Sequence, residues 1–251
     1  LGGPQVRRRY LDILIAQLDS KYLRATQKYQ RVISQRNHLL KAVRAGRSNP
    51  SELDYWDDEL VANGGYIVSK RLESIATLSD LSAPLHRDLS GSGDELALDY
   101  RPAFASEPGG DEYEASQALR ESLAATQQRE RDAGFTVVGP HRDDLGVIVN
   151  GMDAGLFASR GQCRTAVLAM KLAEARHLAE RTGQDPILLL DDVLSELDPE
   201  RRPRLLDAAA AYEQCVVTTS DVRSVDARFL ERMATYTVRE GRLEPQGVGL
   251  A

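Results

Sequence analysis

The chain has 251 residues, 42% of them hydrophobic and 28% charged, with a formal net charge of −6, which is the make-up of a globular protein with a core of its own. No apolar run approaches the ~20 residues of a membrane-spanning helix, and the two cysteines, Cys163 and Cys215, offer neither a metal-ligand spacing nor a disulfide framework. Helical membrane spans, disulfide scaffolds and uniformly basic nucleic-acid binders are excluded on these grounds, and a chain that opens on Leu1 without a signal peptide reads as a cytoplasmic fragment.

Pro4 suits a first helical turn, and Val6, Tyr10, Ile13, Leu14 and Leu18 recur at helical spacing, so residues 4–18 are predicted to form a helix. Ser20 is the predicted N-cap of a second helix that runs to about Ala45 and stops at Gly46. Val32, Leu39, Leu40 and Val43 form one stripe along it, and Lys21, Arg24, Lys28 and Arg31 form another, at spacings of 3, 4 and 3. Residues 1–50 hold eleven Lys and Arg against two acids, Asp12 and Asp19, a charge of +9 that leaves −15 for the remainder. Such asymmetry points to a polyanion partner for the basic part, although a solvated helix face accounts for the same residues.

A third helix is predicted from Pro50-Ser51, carrying Leu53, Trp56, Leu60, Ile67, Ile75 and Leu78, with Gly64-Gly65 as a bend at about 1 kcal/mol per Gly relative to Ala. Residues 79–93 read as a loop, 95–100 as a strand, 104–112 as a second loop and 113–132 as a helix ending near Gly134. The period then changes. Phe135–Val138 and Leu145–Val149 alternate like strands, and Asn150-Gly151 is a two-residue hairpin turn. From Arg160 the order is helix (160–182), strand (187–191), helix (199–212), strand (215–219), helix (224–232) and strand (234–239), an alternation that predicts an α/β sheet. The expected division is a helical arm over residues 1–133 and an α/β lobe over 134–251.

Chemistry concentrates in the second segment. In Ile187-Leu188-Leu189-Leu190-Asp191-Asp192, four aliphatics predict a buried strand with two acids at its C-terminal end, where open α/β sheets bind ligands. A carboxylate there suits Mg²⁺, which prefers oxygen ligands, and its neighbour can orient or deprotonate a water. Ser159-Arg160-Gly161-Gln162 opens a helix, and a hydroxyl, a Gly backbone and the helix dipole together favour an anion. Taken singly, the first is any buried strand ending in Asp and the second a plain helix cap. Ser195-Glu196-Leu197-Asp198-Pro199 follows directly.

In this order and spacing, the three segments resemble the signature motif, Walker B strand and D-loop of ABC ATPases. The finer resemblance is to the RecF family. It rests on Gly139-Pro140-His141-Arg142-Asp143-Asp144-Leu145, Phe157-Ala158-Ser159-Arg160-Gly161-Gln162-Cys163-Arg164-Thr165 and Leu190-Asp191-Asp192-Val193-Leu194-Ser195-Glu196-Leu197-Asp198. Arg8-Arg9-Tyr10-Leu11-Asp12, Gln35-Arg36-Asn37-His38-Leu39-Leu40-Lys41 and Trp56-Asp57 resemble that family's helical arm. The resemblance covers essentially the whole chain. It implies an ABC-type ATPase head lobe with a helical second lobe, binding of ATP and Mg²⁺, and an ATP-dependent homodimer on duplex DNA near single-strand gaps. It also implies work with RecO and RecR in recombinase loading, within DNA replication, recombination, repair and the SOS response to DNA damage.

By position, Asp191 resembles the Walker B acid that holds Mg²⁺, and Asp192 stands where most ABC proteins have a catalytic Glu. Ser159, Arg160, Gly161 and Gln162 would meet the γ-phosphate bound by the opposite subunit, and Asp198 resembles the D-loop Asp. Thr219 falls where many ABC proteins carry a switch His, which implies slow hydrolysis. Cys163 replaces an expected Gln and is assigned no catalytic part. Lys21, Arg24, Lys28, Arg31, Arg36, Lys41 and Arg44 become the DNA-contact candidates, through phosphates and hence salt-sensitive. A P-loop needs Gly-Lys before Ser or Thr, and no Gly-Lys pair occurs in the chain. The fragment is therefore expected to lack its own phosphate cradle.

Two rival readings stand beside this one: a non-catalytic DNA-binding or interaction module, and the head of another SMC-like ABC protein. The second needs sustained heptads, which the chain does not carry. His-Arg-Asp occurs at residues 86–88 and 141–143, but Gly93 and Ile148 stand where a kinase loop needs Asn. Asp143-Asp144 reads as either a metal pair or a structural turn, and His38 as a helix-surface residue.

Overall fold

Asp19 closes one helix and opens the next. Its backbone N–H donates to Ile15 O (2.9 Å), ending α1 (Pro4–Leu18), and its Oδ1 accepts from the N–H groups of Lys21 and Tyr22 (2.8 and 3.0 Å) at the start of α2 (Ser20–Arg44). The N-cap is thus Asp19 and not Ser20, and a carboxylate suits the positive end of the helix. The computed structural model describes residues 2–104 and 110–246.

α2 buries Tyr22, Ala25, Tyr29, Val32, Arg36 and Leu40, one residue per turn on one face. α3 (Leu53–Ser90) has 38 residues, so it runs about 57 Å at 1.5 Å per residue. Residues 79–90, predicted as loop, complete this helix: Leu78, Ser82, His86 and Leu89 keep the buried stripe going past Pro84. Gly91, at φ 64, ends it. The Ser- and Asp-rich composition hid that periodicity. Arg71 of α3 fastens α1 and α2, with Nη2 2.8 Å from Asp12 Oδ1 and Nε 3.1 Å from Tyr22 OH.

β1 (Leu96–Arg101) precedes α4 (Glu112–Ala133), and Gly134 caps α4 in the left-handed region. α4 lies so close to α3 that a Cβ on Gly65 would meet Ser116 Cα at 2.9 Å and one on Gly64 would meet Leu119 Cδ2 at 2.5 Å. The glycine pair therefore serves close helix packing, in an α3 that continues unbroken through it. Most of the predicted loop 104–112 lies outside the described residues.

Residues 135–138 form no strand. Two of their N–H groups go to side chains in place of a ladder, Thr136 N to Asn37 Oδ1 (2.7 Å) and Val137 N to Glu130 Oε1 (2.8 Å). β2 (Asp144–Val149) pairs antiparallel with β1, Leu96 opposite Val149 and Leu98 opposite Val147, and turns at Asn150-Gly151 (φ 52 and 76) into β3 (Met152–Asp153). This sheet spans the predicted 133/134 division, with β1 before it and β2 after it.

α5 (Ala154–Phe157) leads to α6 (Arg160–Thr182), which packs on α3. β4 (Leu188–Leu190), α7 (Arg201–Ala209) and β5 (Cys215–Val217) follow, the two strands parallel with Leu189 opposite Val216. α8 (Ala227–Leu230) is one turn, shorter than predicted, and β6 (Thr235–Arg239) folds back on β7 (Arg242–Gln246). β7 was not anticipated, and the Glu240-Gly241 turn, with φ 50 and 76, makes the hairpin. The fold is α/β, as predicted, but among the described residues the parallel sheet has two strands and β6–β7 stands apart from it. Ile187, just before β4, and Leu189 on it are 59% and 70% exposed, so the predicted buried strand is covered on one face only.

Candidate functional site

Ser159 caps α6. Its Oγ accepts from Gln162 N (3.2 Å), and Gln162 Oε1 accepts from Ser159 N (3.0 Å), a reciprocal box that fixes the first turn. A hydroxyl that accepts in this way still has its proton to donate. Ser159 and Arg160 are exposed at the positive end of a 23-residue helix, so the local geometry favours an anion.

Asp191 and Asp192 leave β4 at its C-terminal end, and both are exposed. Thr218, just beyond β5, holds the pair: its Oγ1 donates to Asp191 Oδ1 (2.7 Å) and accepts from Asp192 N (2.9 Å). Asp192 has φ 49, a left-handed conformation that Asp tolerates better than most residues. Ser195 Oγ lies 2.8 Å from Asp192 O and 3.0 Å from its Oδ2. The acids are thus oriented by hydroxyls, and among the described residues neither is paired with a Lys or Arg side chain. No group of three His, Cys, Asp or Glu suited to a metal occurs among those residues. An exposed acid pair of this kind fits Mg²⁺, which takes one or two carboxylates and completes its shell with water and phosphate.

Asp198 accepts from Arg201 N at Oδ1 (3.1 Å) and pairs with Arg201 Nε through Oδ2 (3.3 Å). The same guanidinium reaches α6, where Nη1 donates to Thr165 Oγ1 (3.2 Å). Arg164 adds a second tie, Nη1 to Glu196 O (3.1 Å) and Nη2 to Glu196 Oε2 (2.6 Å). Ser159 and Asp198 therefore stand on one braced unit, and Asp191 and Asp192 on the strand end that feeds it. Thr219 instead bonds within its own turn, to Asp221 O and N (3.1 and 3.2 Å). Thr218, Arg164 and Arg201 were missed in the sequence. The Thr218-Thr219 repeat at the end of a predicted strand was the one available signal for Thr218.

The basic candidates divide. Lys21, Arg24, Lys28, Arg31, Lys41 and Arg44 are exposed on α2. Lys28 is paired with Glu59 (2.6 Å), Lys21 lies 3.5 Å from Glu112 and over the Tyr66 ring, and Arg44 donates to Ala133 O (3.1 Å). Arg36 is a correction. It is 1% exposed, and its guanidinium meets Asp57 (2.6 Å), Thr136 Oγ1 (2.8 Å) and Glu130 (2.7 Å), so it faces inward and is withdrawn from the DNA candidates.

The Gly139–Asp144 turn is structural. Asp144 takes Arg7 at both oxygens (2.8 and 2.6 Å), while Asp143 is fully buried and accepts from Tyr100 OH and from Ala103 N (2.7 Å). Burial pushes the Asp143 carboxyl up. His141 sits between Tyr29 OH (2.9 Å from Nδ1) and Thr136 O (3.3 Å from Nε2), and burial lowers it to about 4. Both ring nitrogens and both carboxylates are spoken for, which leaves no metal pair here.

No family model matches the chain. It is 42% identical over 247 residues to the DNA replication and repair protein RecF of Chloroflexus aurantiacus, covering 96% of this chain and 63% of that one. The RecF of Moorella thermoacetica is also 42% identical, over 98% of this chain and 63% of its own length. A solved structure described as the recombination mediator protein RecF-ATP in the RecFOR pathway superposes with a TM-score of 0.82 at 29% identity, over 98% of this chain and 64% of that one. The chain thus spans less than two thirds of the relatives it matches.

Proposed function

The chain matches the C-terminal portion of RecF along nearly its whole length, and on that premise we propose that it supplies the signature, Walker B and D-loop parts of a RecF-like ATP-dependent DNA-binding protein of recombinational repair and replication restart. In this reading residues 134–251 act as the ATPase lobe and residues 1–133 as the helical lobe that meets DNA. The observation that carries it is the arrangement of Ser159, Gly161 and Gln162 at the head of α6, the acid pair at the end of β4, and Asp198 braced to α6 through Arg201.

Each residue has a physical task. The exposed Ser159 hydroxyl and the first turn of α6 receive the γ-phosphate of a nucleotide held by the opposite subunit. Arg160, Gly161 and Gln162 line that turn, and Asp198 meets the same partner. Asp192, turned outward by its left-handed backbone and oriented by Ser195, aligns the attacking water and takes its proton. Asp191 would hold Mg²⁺, whose chemistry there is to neutralise charge on the phosphate oxygens. Thr219, in place of a His, makes turnover slow. ATP-driven homodimerisation would close the protein on duplex DNA beside a gap, and hydrolysis would release it. RecO and RecR are the partners that this reading implies, in the cytoplasm.

The test is Asp192→Asn in the full-length protein. The variant should bind Mg-ATP, form the ATP dimer and fail to turn over; hydrolysis at the wild-type rate would remove Asp192 from its role. Calorimetric titration of Mg-ATP separates this reading from a non-catalytic DNA-binding module, which the basic α2 and the missing Gly-Lys pair favour for the chain alone. ATP binding by the full-length protein supports the ATPase. DNA binding without any nucleotide binding supports the module.

A further inference from the structure

The elements assigned above to the opposite subunit's nucleotide, Ser159 to Gln162 and Asp198, lie 36 residues apart in sequence and meet through one side chain. Arg201 Nε pairs with Asp198 Oδ2 (3.3 Å) while its Nη1 donates to Thr165 Oγ1 (3.2 Å). Thr165 is 2% exposed and donates to Gly161 O (3.0 Å), so the chain of bonds runs from the Asp198 carboxylate to the Gly161 carbonyl. The guanidinium also crowds the turn itself: a Cβ on Gly161 would stand 3.3 Å from Arg201 Nη1. Arg201 is only 21% exposed on its side chain, against 48% for Asp198.

This geometry needs a guanidinium. A planar fork with several fixed donors can bond two acceptors on different elements at once, and an ammonium on a flexible stem holds that geometry poorly. The charge also adds to the positive end of α6 beside the expected anion. We propose that Arg201 is a positioning residue: it locks the Ser159–Gln162 turn and the Asp198 loop into one unit, so that both engage the partner subunit's nucleotide together. The proposal rests on the two-subunit reading above. It adds a residue that touches no nucleotide and acts through Asp198 and Gly161.

The consequence is an effect in trans. Arg201→Ala in the full-length protein should leave nucleotide affinity of the protomer unchanged, because Asp191 and Asp192 stand at the end of β4, whereas Arg201 opens α7 and contacts neither. It should weaken ATP-driven dimerisation and lower kcat, each about tenfold or more, as expected for a lost charge-assisted contact. Arg201→Lys should recover part of this.

Mixing gives the decisive readout. Arg201→Ala and Asp192→Asn proteins are each expected to be nearly inactive. A mixed dimer joins an intact Asp192 from one subunit to an intact Arg201 from the other, so an equimolar mixture should regain about a quarter of wild-type turnover by random pairing of a twofold dimer. If Arg201→Ala alone hydrolyses ATP and dimerises like wild type, Arg201 positions nothing. If it is inactive and mixing restores nothing, the residue serves its own subunit's site, and the proposal is overturned. Should the Ala variant fail to fold, Arg201→Met, which retains the stem and removes every donor, carries the same comparison. Wild-type turnover by Asp192→Asn alone would instead strike the reading beneath the proposal, a result separable from either failure of Arg201.

Discussion

Arg36 on α2 and Glu130 on α4 form an ion pair inside the protein, Nη2 to Oε2 2.7 Å, with side chains 1% and 0% exposed. Asp57 on α3 takes Nε of the same guanidinium (2.6 Å), and Glu130 Oε1 accepts from Val137 N (2.8 Å). One arginine thereby joins three helices and the segment that leads to β2. The net gain from such a pair over an apolar cluster is small, because both charges left water to make it. Breaking it is another matter.

Arg36→Ala leaves Glu130 charged, buried and without its partner, and should cost about 3–5 kcal/mol. Arg31→Ala, on the exposed face of α2, should change stability by less than about 0.5 kcal/mol. Urea unfolding of both variants tests the contrast. Equal midpoints would mean that the buried pair carries no such penalty.

Gly65→Ala tests the α3–α4 contact. Helix propensity alone favours Ala by about 1 kcal/mol. The new Cβ would sit 2.0 Å from Ser116 Oγ and 2.9 Å from its Cα, and the latter is backbone. A side-chain oxygen can rotate away, but the backbone cannot without moving α4. Overpacking should therefore outweigh propensity, with a net loss of roughly 1–3 kcal/mol. A stabilised Gly65→Ala protein would show that α4 shifts freely.

What the sequence made legible follows from which forces are local. α1, α2, α4 and α6 were readable because their apolar spacing, Pro4, Gly46, Gly134 and Ser159 all act within a turn or two of chain. Asn150-Gly151 announced its hairpin for the same reason. The last three turns of α3 were not readable: residues 79–90 are polar in composition, and only packing reveals that Ser82 and His86 face the core. Arg36 misled because a charge in a basic run looks like its neighbours, and Glu130 and Asp57, which bury it, lie 94 and 21 residues away. At the candidate site, Ser159, Asp191, Asp192 and Asp198 stood out through motif order. Thr218 reaches Asp191 27 residues away and Arg201 reaches Thr165 36 residues away, contacts that no local spacing encodes.

His141 should make stability fall on mild acidification. Burial holds its folded pKa near 4 against an ordinary value of 6.5, so the unfolded chain takes up the proton first. The contribution is complete above about 6.5 and is lost as pH falls towards 4, up to roughly 3 kcal/mol in the limit. Asp143, pushed up by burial, works in the opposite sense, and the buried His86 in the same one. Comparison with His141→Gln isolates the His141 part. Glutamine can still accept from Tyr29 OH and donate to Thr136 O, and it does not titrate. Its stability should decline less between pH 6.5 and 4.5 than that of the wild type; parallel curves would exclude His141 as the source.

If α2 meets DNA, the contacts should be to phosphates, and each should appear in the salt dependence. Arg24, Arg31 and Lys41 are exposed on α2, so each lost side chain should reduce the slope of log affinity against log salt by about 0.9, whatever the DNA sequence. Lys28 must first leave Glu59, 2.6 Å away. Lys28→Ala should therefore lose less affinity than Arg24→Ala, and Glu59→Gln should strengthen binding by freeing Lys28. Fluorescence anisotropy of the full-length protein on gapped duplex DNA, at several salt concentrations with ATP present, measures all of these. A triple Arg24, Arg31, Lys41→Ala variant with an unchanged slope would show that the stripe is a solvated face and that the DNA lies elsewhere.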